Sequence, residues 1–190
     1  ELGLPPDAAW VSAYYETGFN TWYGRAVEDR RPDVTHVHLA SLTHPFYRPM
    51  IAGTPAEGLV TPEGEAGPLL RTDGVLTWAR RGAVRVEAEQ VIDAELGRWL
   101  RPGLLYFDVD PTLGPEGELP AEATAAYAAA TERALFGWGG ASALETQMAR
   151  NWVWAHFNAA RVLCRAGRVE ACRVAIGAAL EVAPGEPTLE

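Results

Sequence analysis

The stretch from residue 9 to residue 41 constrains the fold of this chain more than any other part. It reads as an aromatic-rich buried strand over residues 9–15, a polar turn, a helix that ends before Pro32, and a second strand over residues 35–41. Because only Arg31-Pro32-Asp33 separate the helix from the second strand, the two strands are expected to be parallel neighbours. The stretch therefore predicts a βαβ unit and an α/β fold.

The remaining chain extends this unit and then becomes helical. Residues 83–88 and 104–109 have the pattern of a third and a fourth strand. Residues 69–80 have the pattern of a helix that is interrupted at Asp73-Gly74, and residues 52–67 have the composition of an exposed loop. Helices are predicted over residues 121–138, 141–166 and 168–182. We therefore predict an α/β domain over residues 1–118, with a small, mainly parallel Rossmann-like sheet of about four strands and flanking helices. A helical extension is predicted over residues 119–190.

Charge and composition exclude some classes of partner. The 190 residues include 16 basic side chains, all of them Arg, and 25 acidic ones, for a net charge of −9. Nucleic acid is therefore not an expected partner, since binding to phosphates needs clustered cations. The chain begins without Met and has neither a signal-peptide pattern nor a run of about 20 apolar residues, so a soluble fragment of a longer protein is expected. Cys164 and Cys172 fit two buried thiols or a disulfide across a helical hairpin.

Polar residues at the turn after the first strand form the first candidate site. Glu16, Thr17 and Asn20 stand where open α/β sheets bind ligands, and a carboxylate with a hydroxyl can hold sugar hydroxyls. The same turn also suits helix capping by Thr17, Asn20 or Thr21, with Glu16 favoured by the helix dipole. No G-x-G-x-x-G motif is present, so no dinucleotide cofactor is expected.

Histidines and aspartates near other strand ends form the second set of candidates. His36 and His38 alternate on one strand and so share a face, with His44 nearby; nothing acidic or thiol-bearing completes a metal site, and no metal is expected. Asp108 and Asp110 straddle the end of the fourth strand and would join Glu16 if that strand lay beside the first.

Tryptophans give a further candidate surface. Trp22, Trp78 and Trp99 can stack on a sugar, although most of the seven Trp are expected to pack in the core.

Small and turn residues recur at fixed spacing in the helical end. Counting back from Pro184 gives Ala160, Gly167, Cys172 and Ala179 at positions where a tetratricopeptide repeat has small or turn residues. Residues 153–186 resemble one such helix pair. The resemblance implies a pair that must pack on neighbouring helices and that offers a surface to a partner.

Several short motifs in the α/β part occur together. They are Trp22-Tyr23, Val27-Glu28, Arg31-Pro32-Asp33-Val34, Phe46-Tyr47 and the segment 101–106. With them, this part is similar to the soluble C-terminal region of a family of bacterial membrane glycosyltransferases that resemble protein O-mannosyltransferases, in the glycosyltransferase C superfamily. The family's turn after the first strand carries paired acidic or amide residues, whereas Tyr15-Glu16-Thr17-Gly18 keeps one carboxylate.

This resemblance implies a non-catalytic, soluble accessory module of a membrane glycosyltransferase-like protein. The module would lie outside the cytoplasm and dock a sugar or polyprenyl-sugar ligand. Its helical end would contact the membrane region of the parent protein or a protein partner. Two alternatives remain: a stand-alone interaction module that uses the helices, and a small α/β hydrolase or transferase with carboxylates at the strand ends.

Overall fold

A five-stranded sheet with the strand order β2-β1-β3-β5-β4 organises the part of the chain that the structure describes. The structure is a computed structural model that describes residues 3–88, 92–114, 118–135 and 143–183, without the side chains of residues 15, 16, 135 and 143–148. The strands are β1 (Ala9–Ser12), β2 (Thr35–His38), β3 (Val84–Glu87), β4 (Leu100–Pro102) and β5 (Tyr106–Val109).

Seven α-helices and two short 3₁₀ turns complete the described chain. The helices are α1 (Tyr15–Ala26), α2 (Tyr47–Ile51), α3 (Thr72–Ala79), α4 (Ala94–Gly97), α5 (Ala121–Leu135), α6 (Ala143–Arg165) and α7 (Val169–Val182), and the 3₁₀ turns are Leu39–Thr43 and Pro55–Leu59. The chain divides into two compact units. The first contains Glu1–Glu87 and Asp108–Pro111, and the second contains Ala88–Phe107 and Thr112–Glu190.

The predicted α/β fold is confirmed, but the sheet has five strands rather than about four, and it is mixed rather than purely parallel. β1 pairs in parallel with β2 and with β3, as the βαβ pattern predicted for the first pair. β4 is an additional strand that the sequence analysis did not identify. Only three residues link it to β5, and the Gly103 N–H donates to the Tyr106 carbonyl, so these two strands are antiparallel and the sheet is mixed.

The parallel part of the sheet has one apolar face and one face that carries polar side chains. Val11, Val37 and Val86 are fully buried on one face of the sheet. On the other face the register places Trp10 beside His36 and Ser12 beside His38. Because parallel sheets are covered on both faces, these polar side chains lie under a helix rather than in water.

The first strand and helix have different bounds from the predicted ones. β1 ends at Ser12 and α1 begins at Tyr15, so the predicted polar turn is the first turn of the helix. The Gly18 N–H donates to the Tyr14 carbonyl, which is the first hydrogen bond of the helix. The prediction that Thr17, Asn20 or Thr21 caps this helix is therefore wrong, since all three lie within it.

The segment between β2 and β3 is also more ordered than the sequence indicated. The predicted exposed loop over residues 52–67 contains the 3₁₀ turn Pro55–Leu59, whose Ala56 and Leu59 are buried. α3 is continuous through Gly74, where an interruption was predicted. A Cβ at Gly74 would collide with the Gly58 carbonyl oxygen, so the glycine allows close backbone approach rather than breaking the helix.

In the second unit, α6 and α7 form the predicted helix pair. Gly167 has a φ of +74°, its N–H donates to the Cys164 carbonyl, and the Arg168 N–H donates to the Leu163 carbonyl. This is the hydrogen-bond pattern of a Schellman turn, in which glycine ends a helix. Membership of the tetratricopeptide family stays a prediction, and Pro184 lies outside the described residues.

A buried polar cluster stands between the helices of this unit. The Tyr127 hydroxyl shares a hydrogen bond of 2.8 Å with His156 Nδ1, and Trp152 Nε1 donates to the Ala178 carbonyl. Burial lowers the pKa of His156 to about 4, so the imidazole is neutral at physiological pH. These two hydrogen bonds link α5 to α6 and α6 to α7, and buried hydrogen bonds of this kind fix the register in which helices pack.

Cys164 and Cys172 form a disulfide between α6 and α7, which resolves the two alternatives left by the sequence. The bridge spans eight residues in sequence, with Cα atoms 5.3 Å apart. Because a short loop is closed, the cross-link restricts the unfolded chain only moderately, by about 2–3 kcal/mol in the chain-entropy description.

Reduction of this disulfide should lower the free energy of unfolding of the helical unit by about 2–3 kcal/mol. Urea unfolding followed by circular dichroism, with and without reductant, measures the difference. A double variant, Cys164→Ala with Cys172→Ala, serves as the control and should not respond to reductant. Equal stability of the wild type in both conditions would contradict the prediction.

Candidate functional site

A buried carboxylate, Glu87, joins the end of β3 to the turn that follows β1. Its Oε2 accepts hydrogen bonds from the Ala13 N–H at 2.6 Å and the Tyr14 N–H at 3.1 Å. The Thr17 hydroxyl also hydrogen-bonds to this carboxylate. In the strand order, the chain leaves β1 toward β2 on one side and leaves β3 toward β4 and β5 on the other. The gap between β1 and β3 is therefore the topological switch point of the parallel strands. The chain's own carboxylate fills the position where such sheets often bind a ligand.

The polar face of β2 continues this cluster toward the sheet edge. Ser12 Oγ lies 2.7 Å from His36 Nε2, and His38 Nδ1 lies 2.6 Å from Ser41 Oγ. The His38 N–H donates to the Tyr47 hydroxyl at 2.8 Å. These bonds hold both imidazoles in fixed orientations, and the predicted sharing of one face by His36 and His38 is confirmed.

An open groove lies beside these imidazoles, between α1 and α2. It encloses a cavity of about 300 Å³. The lining residues come from α1, from β2, from the segment between β2 and α2, and from α2 itself: Gly18, Phe19, Trp22, His36, His38, Ser41, His44, Phe46, Tyr47 and Met50. Four of the lining side chains are large, apolar and mostly exposed, with exposed fractions of 65% for Phe19, 55% for Trp22, 62% for Phe46 and 57% for Met50.

Gly18 lets α1 approach the sheet closely enough to form one wall of this groove. A Cβ at this position would lie 2.7 Å from His38 Cδ2. No Cβ is tolerated at that distance unless the imidazole moves, and hydrogen bonds at its backbone and ring restrain His38. A small residue in the first turns of α1 is therefore required for the observed shape of the groove.

Burial shifts the ionisation of two groups in this region. The pKa of His36 is lowered to about 3, mainly by burial and further by His38 and Arg25. The pKa of Glu87 is raised above its ordinary value of 4.5 because burial outweighs the hydrogen bonds from Ala13, Tyr14 and Thr17. The floor of the groove thus presents a neutral imidazole at His36.

This arrangement suits binding better than covalent chemistry. Ser12, the hydroxyl in contact with His36, is fully buried, so a substrate in the groove cannot reach it. The groove offers aromatic faces for stacking and ring nitrogens for hydrogen bonds. Such a lining recognises a ligand that combines an apolar face with polar edges.

The structure brings some of the predicted site residues together. His36, His38 and His44 line the same cavity, and the His44 ring stacks on Phe46 with centroids 5.5 Å apart. Thr17 lies at the Glu87 carboxylate. Asn20 is exposed on α1 and is not among the lining residues. The side chain of Glu16 lies outside the described part of the chain.

The predicted aspartates lie elsewhere in the sheet. Asp108 is on β5, and β3 lies between β5 and β1. The prediction required the strand that carries Asp108 to lie beside β1, and this requirement is not met. Its Oδ1 accepts from Arg85 Nε at 2.7 Å. Asp110 follows the end of β5 and is half-buried. The predicted carboxylate cluster of Asp108, Asp110 and Glu16 is therefore not supported.

Sequence reasoning missed Glu87 and misjudged Trp22. Glu87 is the last residue of a strand of alternating polar and apolar residues, where an outward-facing acid is the ordinary interpretation. Trp22 was expected in the core, although its use as a stacking surface was left open. The signal available in the sequence was the close spacing of Phe19, Trp22 and Tyr23, which gives this helix more aromatic residues than one buried stripe needs.

Comparisons with protein-family models, with curated proteins and with solved structures give no match to this chain. The resemblance to the membrane glycosyltransferase family therefore stays a prediction. Among the described residues, no group of three or more His, Cys, Asp or Glu side chains is placed to hold a metal ion. Within the same residues, no helix has both the length and the apolar character needed to cross a membrane.

Two glycines in α1 provide a matched test of the groove wall. Gly18→Ala should destabilise the protein by about 1–3 kcal/mol, because the new methyl group displaces His38. Gly24→Ala is the control: its Cβ would come no closer than 3.9 Å to Arg30 Cβ, and alanine favours the helix by up to about 1 kcal/mol. Urea unfolding of both variants checks the signs. Equal effects would show that Gly18 has no special packing role.

The Glu87 carboxylate should give the stability a defined dependence on pH. Since its pKa is raised on folding, the folded protein binds this proton more tightly, and its contribution to stability falls as the pH rises from 4.5 through the folded pKa. Glu87→Gln keeps an acceptor oxygen for the two N–H groups and should remove this contribution while the protein stays folded.

Glu87→Ala should instead cost at least about 2 kcal/mol at every pH, since both N–H groups lose their acceptor. Unfolding curves of the three proteins between pH 4 and pH 8 test this scheme. Identical pH profiles for wild type and Glu87→Gln would contradict it.

Proposed function

We propose that the unit formed by Glu1–Glu87 and Asp108–Pro111 is a non-catalytic binding module, whose groove between α1 and α2 holds a small ligand with an apolar face. The observation that carries this proposal is the set of four exposed apolar side chains around one cavity: Phe19, Trp22, Phe46 and Met50. Isolated exposed apolar residues are ordinary on protein surfaces, whereas a concave cluster of them is typical of a binding site.

The size of the cavity suits a small ligand. A volume of about 300 Å³ lies at the lower end of the range for small-molecule sites. Each CH₂ group removed from water contributes about 0.8 kcal/mol, so a short alkyl chain or the apolar face of one sugar ring can offset the entropy lost on binding. Affinities in the micromolar to millimolar range are expected for such a ligand.

The resemblance to membrane glycosyltransferases gives this ligand a class. On that basis the groove would dock a sugar or polyprenyl-sugar substrate for a catalytic region elsewhere in the parent protein. The Cys164–Cys172 disulfide supports a location outside the cytoplasm, because disulfides persist in oxidising compartments. The helical end would contact the membrane region of the parent or a protein partner. Trp154, which is 55% exposed on α6, is an apolar side chain that favours such a contact.

A titration of the whole chain with octyl glucoside below its micelle concentration tests the proposal. The wild type should bind with measurable heat, and Trp22→Ala should weaken binding by about tenfold, since one aromatic stacking partner is lost. The matched control is Tyr23→Ala. Tyr23 is a neighbouring aromatic residue, 52% exposed on the same helix, and it is absent from the groove lining.

Equal loss of affinity in the Trp22→Ala and Tyr23→Ala variants would place binding outside the groove. No binding by the wild type would overturn the proposed function. Far-ultraviolet circular dichroism of each variant establishes that the fold is retained.

A further inference from the structure

A second, more polar cavity lies beside the groove. This cavity has a volume of about 650 Å³ and shares Trp22, His36, Tyr47 and Met50 with the first one. Because four side chains border both spaces, a single elongated ligand can occupy them together. The far end of the second cavity is lined by Arg25, Thr35 and Thr54, among others.

The lining of the two cavities together is positively charged, whereas the whole protein has a net negative charge. The chain has 25 acidic residues against 16 basic ones, yet no Asp or Glu is among the described residues that line either cavity. Arg25 is the one lining side chain there with a permanent charge. A concave surface that excludes acids in an acidic protein favours an anionic ligand.

Arg25 has donors to offer to such a ligand. Within the described residues its guanidinium forms no ion pair, and its hydrogen bond to the Pro32 carbonyl is long, at 3.4 Å. Nearby arginines differ: Arg30 Nε lies 3.0 Å from a Glu28 carboxylate oxygen, and Arg31 forms an ion pair with Asp33. A guanidinium presents several N–H groups in a plane that matches the oxygens of a phosphate.

The field of Arg25 reaches the part of the groove that both cavities share. Burial raises the pKa of Tyr47, and the charge of Arg25 acts against that shift. For His36, burial is the main cause of the lowered pKa, and the charges of His38 and Arg25 lower it further. Both rings border both cavities, and Arg25 lines the second cavity together with them, so its guanidinium borders the space that a ligand between the cavities would enter.

We infer that the natural ligand of this groove is an amphiphilic anion, with an apolar chain or ring against Phe19, Trp22 and Phe46 and a phosphate-like oxyanion against Arg25. This inference rests on the proposed function, since it names the class of ligand for the same groove. It adds one residue with a distinct role: Arg25 selects for the anionic end, while the aromatic residues bind the apolar end.

Two probes with the same alkyl chain separate these roles. Octyl phosphate and octyl glucoside, each below its micelle concentration, are titrated into the whole chain, and inorganic phosphate is titrated alone. Octyl phosphate should bind the wild type about tenfold more tightly than octyl glucoside, and the difference should shrink at high salt. Inorganic phosphate should bind more weakly than octyl phosphate because it lacks the apolar chain.

Variants then assign the preference to Arg25. Arg25→Gln should weaken the binding of octyl phosphate by about tenfold and so remove its preference over octyl glucoside. Arg30→Gln is the matched control, because Arg30 is outside the groove lining, and it should keep the preference. Trp22→Ala should weaken the binding of both alkyl ligands.

The outcomes distinguish this inference from the proposed function. If octyl glucoside binds through Trp22 but octyl phosphate gains nothing, or if the gain survives in Arg25→Gln, the anionic ligand is excluded and the binding module stands. If Arg25→Gln changes the stability of the protein but not the preference, Arg25 serves only the C-terminal end of α1, and the inference is also wrong. If neither alkyl ligand binds, both proposals fail.

Discussion

The hydrogen bonds that the buried Glu87 carboxylate accepts from the backbone of Ala13 and Tyr14 fix the place where β1 ends and α1 begins. Two backbone N–H groups at this point would otherwise lack a strand or helix partner, and burying them unpaired would be costly. Burial disfavours the charged form of the Glu87 carboxylate and raises its pKa. The two N–H groups and the carboxylate can therefore all be buried, because each supplies the hydrogen-bond partner that the other needs.

The position of α1 follows from this contact, and the groove follows from α1. Starting the helix at Tyr15 puts Gly18 over His38 and turns Phe19 and Trp22 toward α2. If the helix began at Asn20, as its capping residues suggested, neither aromatic residue would occupy its present place on the wall. The switch point of the sheet is thus occupied by the protein's own carboxylate, and the space for a ligand lies beside it, over β2.

The sequence was a good guide to local pattern and a poor guide to long-range contacts. Alternation in β2 predicted that His36 and His38 share a face, and the short connection before β2 predicted its parallel pairing with β1. Glu87 could not be recognised, because its role depends on the Ala13 amide in the turn after β1, 74 residues away in sequence. β4 was missed because Pro102 and Gly103 resemble a loop, although proline is acceptable on an edge strand.

Amide hydrogen exchange at Ala13 and Tyr14, followed by NMR, tests the central claim that Glu87 fixes the β1–α1 turn and thereby the groove. The account predicts slow exchange at both amides in the wild type and fast exchange at both in Glu87→Ala. The ring resonances of Phe19 and Trp22 should shift in the same variant. Fast exchange at both amides in the wild type, or unchanged exchange and ring resonances in Glu87→Ala, would contradict it.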